Sequence, residues 1–159
     1  TSVKLQGKTK QVNFNPEPVT TKDVPEIIQL DKEVFGANRK QLIEFLAGND
    51  REQKRSFLIR RGNKITAMAL GRSGTRFHQI GPDHASSTED AKKMIISSLE
   101  AIEGEPVVLD VPDDKRELMA WLKSLGFEKQ RHFIRMFQNE NPFPGIPGKQ
   151  YLIGGPEVG

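Results

Sequence analysis

Cysteine is absent from this chain. That excludes disulfides, thiolate nucleophiles and cysteine-ligated metals together, and it fits a protein of the cytoplasm. Ring-bearing residues are few: one Trp, one Tyr and nine Phe in 159 positions. No apolar run approaches the roughly 20 residues a bilayer crossing needs, and no signal-peptide pattern is visible, so no membrane partner is expected. The chain starts at Thr1 without an initiator methionine, as a trimmed chain or a piece of a longer protein would. Neither sign of charge dominates, with a net charge of only +3 and a pI near 9.2. Basic residues gather at Arg51, Lys54, Arg55, Arg60, Arg61 and Lys64, but Phe57 is the only aromatic among them. A nucleic-acid surface interleaves such a run with aromatics. A solvated helix end followed by the outer face of a strand explains the run better, and a patch for the phosphates of a nucleotide-like cofactor is its second use.

What is present suits one domain with a real core. Hydrophobic residues make up 35% of the chain and mean hydropathy is −0.56, yet apolar blocks recur along the whole length. Residues 1–19 read as a polar N-terminal segment or linker with one short strand near Gln11 to Phe14. Thr20 to Asp23 can cap a helix whose apolar positions are Val24, Ile27, Ile28, Leu30, Val34 and Phe35, stopped by Gly36. Asn38 can cap a second helix, with Leu42, Ile43, Phe45 and Leu46 on its stripe. Ser56 to Arg61 and Lys64 to Leu70 read as a hairpin about Gly62-Asn63. Arg76 to Ile80 is the next strand, ended by Gly81-Pro82. A long helix runs from Thr88 to about Ile102, then a short strand from Pro106 to Leu109. A helix capped by Asp113 carries Leu118, Met119, Trp121, Leu122 and Leu125 and stops at Gly126. His132 to Phe137 and Tyr151 to Ile153 read as the last strands, and residues 139–159 as a Pro/Gly-rich arm with a C-terminal strand.

The order of these elements, with Leu109-Asp110-Val111, a helix and then Leu125-Gly126-Phe127, resembles the GNAT acetyltransferase superfamily over residues 20–159. Asp31, Val34 to Arg39, Ile80-Gly81-Pro82, Arg131 to Met136 and Gly155 to Gly159 are similar to the second half of tandem GNAT-like proteins. The resemblance implies an α/β fold for a domain at 20–138: a mixed, mostly antiparallel sheet of six to seven strands, helices on both faces, and a splayed opening between the fourth and fifth strands. It implies acetyl-CoA as cosubstrate, with no metal, and transfer of an acetyl group to a primary amine on a small molecule or peptide by direct attack. It also implies a possible partner, a second GNAT domain or a second copy of the chain. The alternative is a non-catalytic GNAT-like domain that serves another GNAT domain as a structural or substrate-binding half.

By that resemblance, Gln79, Ile80 and Gly81 offer strand backbone to the pantetheine arm, and Ser86, Ser87, Thr88 and Ala91 face the pyrophosphate at a helix start. Orphan N–H groups and the positive dipole end favour an anion there. The glycine-rich loop of the family is not present; Glu89 and Asp90 stand in its place, and only Ala91 conforms. An ordinary capped helix start is the competing reading. The leaving-group tyrosine of the family aligns with Leu122, and its asparagine with Lys115. A base must take a proton from the amine, and His78, His84, Asp83 and Glu33 are the candidates by residue type. Asp110 can orient the amine or cap the following helix. Asp31 and Arg39 can pair across the first two helices. His78, His84 and His132 do not match a zinc-site spacing.

Overall fold

The computed structural model describes residues 15–48, 55–134, 136, 140 and 143–158. A six-stranded sheet forms the middle layer, from β1 (Glu17–Pro18), β2 (Phe57–Arg61), β3 (Lys64–Ser73), β4 (His78–His84), β5 (Val107–Leu109) and β6 (Gln150–Leu152). β1 to β4 run antiparallel in sequence order, β5 joins β4 in parallel, and β6 joins β4 antiparallel. The mixed, mostly antiparallel sheet expected from the sequence is therefore present.

Alternation along the strands decides which helices lie on which face. Ala67 and Ala69 of β3 point to one side, with Ile59 and Ile80, and their small size lets α3 (Thr88–Ala101) sit close. Met94 and Ile95 of α3 and Leu118 and Leu122 of α4 (Arg116–Ser124) complete that core. Met68 and Leu70 point to the other side, where α1 (Val24–Phe35) and α2 (Lys40–Ala47) bring Ile27, Ile43 and Leu46. Each helix thus buries an apolar stripe on one sheet face, the usual origin of helix stability in a small domain.

The α4 terminus follows the chemistry read from Leu-Gly-Phe. Gly126 takes φ +94°, its N–H donates to Lys123 O (3.0 Å), and the Phe127 N–H donates to Leu122 O (3.1 Å). This is the Schellman closure, and Phe127 then packs on the core beside Trp121. Some boundaries differ from expectation, and one expected strand is not tested. β4 continues through Gly81-Pro82 to His84, because Gly81 adopts φ +146° and keeps the strand extended. The short strand near Gln11 lies outside the described residues; the first observed pairing is at Glu17–Pro18. Residues 132–134 and 136 form no strand, and Phe133, Ile134 and Met136 are exposed. The β4 edge beyond Ile80 is taken by β6 instead.

Candidate active site

β4 and β5 pair over only three residues, His78 to Ile80 against Val107 to Leu109, and then part. The divergence is the one expected. The opening is filled by the chain itself. Asp83 pairs with Leu152 and His84 with Gln150. The Ala85 N–H donates to Lys149 O (3.0 Å), and the Ile153 N–H donates to Asp110 O (3.0 Å). Lys115 Nζ reaches Pro147 O (3.0 Å) and steadies the 3-10 turn just before β6.

On the α1/α2 face of β4, two polar groups converge. His84 is 2% exposed, and its Nε2 lies 2.8 Å from Asp31 Oδ1. Arg39 donates to the same carboxylate from Nε (3.1 Å) and Nη2 (2.5 Å), and from Nη1 to Val158 O (3.1 Å). Burial alone would raise the Asp31 pKa, but the hydrogen bonds from His84 and Arg39, with the Arg39 charge, hold it below the usual range. Because Asp31 is then a carboxylate, Nε2 of His84 carries the hydrogen and donates it. Nδ1 is buried and has no hydrogen-bond partner. A shallow groove of about 550 Å³, lined by Asn38, Arg39, Lys40, Gln41, Leu42 and Val158, reaches this cluster only at Arg39.

The second group is built on Gln79. Arg72 donates to Gln79 Oε1 from Nε (3.2 Å) and Nη2 (2.6 Å), and Gln79 Nε2 donates to Asp110 Oδ2 (2.7 Å). Arg72 also pairs with Glu157 of the C-terminal segment and holds that carboxyl below its ordinary range. Burial pushes the Asp110 carboxyl up, against the pull of Arg131. Gly155 sits in the middle: a Cβ there would lie 2.9 Å from Arg72 Nη2 and 3.1 Å from Gln79 Nε2.

The remaining expected site residues fall elsewhere. His78 opens β4, six residues and roughly 20 Å of strand from His84, and its Nε2 is bonded to Glu105. Ile80 and Ala91 are fully buried core side chains. A Cβ on Gly81 would lie 2.1 Å from Ile153 O, so this glycine admits the chain's own C-terminal segment. Ser87 caps α3 by accepting from the Asp90 N–H (3.2 Å), and Ser86 Oγ donates to Thr66 O (3.3 Å). Thr88 Oγ1 lies 3.4 Å from the Tyr151 hydroxyl. Glu33 is exposed on α1. His132 faces Asp113 at 3.6 Å, apart from the other two histidines. In the basic run, Arg60 pairs with Asp23 and Glu26, and Arg61 with Asp90.

Asp83 is a separate case. It is fully buried, neither oxygen has a partner, and burial, with Asp90 nearby, pushes its pKa well up. A raised folded-state pKa means stability falls as pH rises from the unfolded value of 3.8 toward that folded value. Asp83→Asn is expected to stabilise the chain at pH 7 and to flatten that decline. Urea midpoints measured across the range would show it; a parent-like midpoint and slope would refute it.

The sheet, its parting strands and the polar face beside β4 define an acyltransferase-type α/β domain. The chain belongs to the GNAT acetyltransferase domain family, which it matches over residues 27–152. That family's domains take an acyl-CoA as cosubstrate. The chain is 25% identical over 143 residues to holothin acyltransferase of Pseudoalteromonas sp. (strain SANK 73390), covering 89% of this chain and 47% of that protein. It therefore spans about half the length of that relative. The fold resembles TTHA1254 from Thermus thermophilus, as wild type and as the I68M mutant, with TM-scores of 0.51 and 0.52 at 17% identity. Those matches cover 80% of this chain and 98% of the other.

An acyl-CoA does not fit the residues at the expected place. The β4 edge is paired, the first turn of α3 is capped by Ser87, and the exposed acid of that turn is Glu89, while Asp90 is buried against Arg61.

Proposed function

We propose that this domain acts in N-acyl transfer, from acetyl-CoA to a primary amine, and that its described residues serve the amine side. The observation that carries the reading is the buried Asp31–His84 pair with a free ring nitrogen, set in a GNAT fold. An ammonium is no nucleophile, so the amine must lose a proton. His84 Nδ1 is the group for this, while Asp31, clamped by Arg39, fixes the tautomer and steadies the imidazolium that forms. Asp110, with its raised pKa and its hydrogen bond from Gln79, supports amine binding from further back along the same face of β4. A small-molecule or peptide amine is the expected acceptor.

The test is thiol release from acetyl-CoA over a panel of primary amines. With no cysteine in the chain, a thiol reagent reports only the released coenzyme. Asp31→Asn, which leaves the imidazole in place, should lower the rate by about 10²-fold or more and move the acidic limb of the pH profile. A normal profile in that variant would remove His84 from the base role.

The paired β4 edge favours a second reading: a domain with no coenzyme of its own that lends its polar face to another GNAT domain. A thermal titration separates the two. Acetyl-CoA at 100 times Kd should add about 2.7 kcal/mol if this chain binds it, and nothing if it does not.

A further inference from the structure

We infer that β6 is a resident strand of the β4/β5 opening, so that no acyl-CoA arm enters there and the opening is not the domain's coenzyme site. The inference rests on the proposed GNAT reading and on the pairing of β4 with β6, and it leaves the amine face untouched.

Every residue of β6 is embedded. Gln150, Tyr151 and Leu152 are 6%, 7% and 0% exposed, and the last two belong to the core shared with Met94, Leu118 and Leu122. Gln150 does not present its amide to solvent; its Nε2 donates to Val34 O (2.7 Å) at the end of α1. The segment is tied on both sides of the opening, by Lys149 O to the Ala85 N–H and by the Ile153 N–H to Asp110 O. Further on, Arg72 grips Glu157 and Arg39 grips Val158 O. The receiving backbone is shaped for it, since Gly81 lets Ile153 O approach and Gly155 lets Arg72 and Gln79 close over the chain. A ligand arm seeking the β4 edge would compete with this whole set, because extended amide groups in a ligand and in a strand use the same donors and acceptors.

The experiment is hydrogen exchange on the intact chain, read at the Ala85 and Ile153 amides with and without saturating acetyl-CoA. The expected result is protection of at least about a thousandfold over unstructured chain, unchanged by acetyl-CoA. Fast exchange at both amides without ligand would overturn the inference. So would loss of that protection when acetyl-CoA is added, because the ligand would then be displacing β6. Thiol release is read separately. Acyl transfer with an intact ladder keeps both proposals and places the coenzyme elsewhere. No transfer with an intact ladder sinks only the proposed reaction.

Discussion

Arg39→Met is expected to cost about 3–5 kcal/mol of stability at pH 7, although it keeps most of the side-chain volume. The cost comes from what is left behind. Asp31 is 1% exposed and the Arg39 side chain 9% exposed, so water cannot replace the guanidinium. The carboxylate would keep only His84, and the Val158 carbonyl would lose its donor. The pH response should change sign as well. In the parent, the depressed Asp31 pKa contributes stability above its unfolded value of 3.8, and that stability is lost as pH falls through the lower folded value. Without Arg39, burial becomes the ruling influence and raises the folded pKa. Stability then declines as pH rises from about 4, the unfolded value. Urea midpoints between about pH 3 and pH 7 should therefore slope in opposite directions for parent and variant. A variant whose midpoint and slope match the parent would show that Arg39 does not neutralise Asp31.

Those residues also show what could be read from the chain. Asp31 and Arg39 are eight apart across a helix break, close enough for a local argument to pair them. His84 is 53 residues from Asp31, and only the sheet brings it there. The Gly126 stop was legible because its cause is local: a left-handed glycine after an amphipathic run, followed by an apolar residue that can pack back. The end of β4 was not. Gly81-Pro82 carries the composition of a turn, and what keeps it in the sheet is a partner segment some 70 residues later. Gln150 to Leu152 is too short for its periodicity to say which edge it pairs with. The α3 start, by contrast, follows its composition. Ser87 reads as a cap and is one, with Glu89 and Asp90 in the first turn where the helix dipole favours them. The Gln79–Asp110 contact joins a residue expected on the coenzyme side to one expected on the amine side. It forms because the short β5 pairs in parallel with the first residues of β4, so Asp110, just past the end of β5, comes within reach of Gln79.

Gly81→Ala is the sharpest probe of that long-range pairing, with an expected loss of about 4 kcal/mol. Two contributions of about 1–3 kcal/mol each combine, one for a φ that L residues rarely adopt and one for steric overpacking. The backbone there is at φ +146°, and the new methyl would lie 2.1 Å from Ile153 O, a backbone atom that cannot swing aside. Relief requires β6 to withdraw from β4, so the Ala85 and Ile153 amides should lose their protection before the β2–β3 ladder does. Gly148→Ala is the matched control, because a Cβ there meets nothing within 4 Å and the change should stay within about 0.5 kcal/mol. If Gly81→Ala were as mild as that control, Ile153 could not be packed over Gly81. The β4 edge would then be open to a coenzyme arm after all. A large loss with selective release of β6 would instead mean that this glycine, expected from the family resemblance on the coenzyme side, serves here to seat the chain's own final strand.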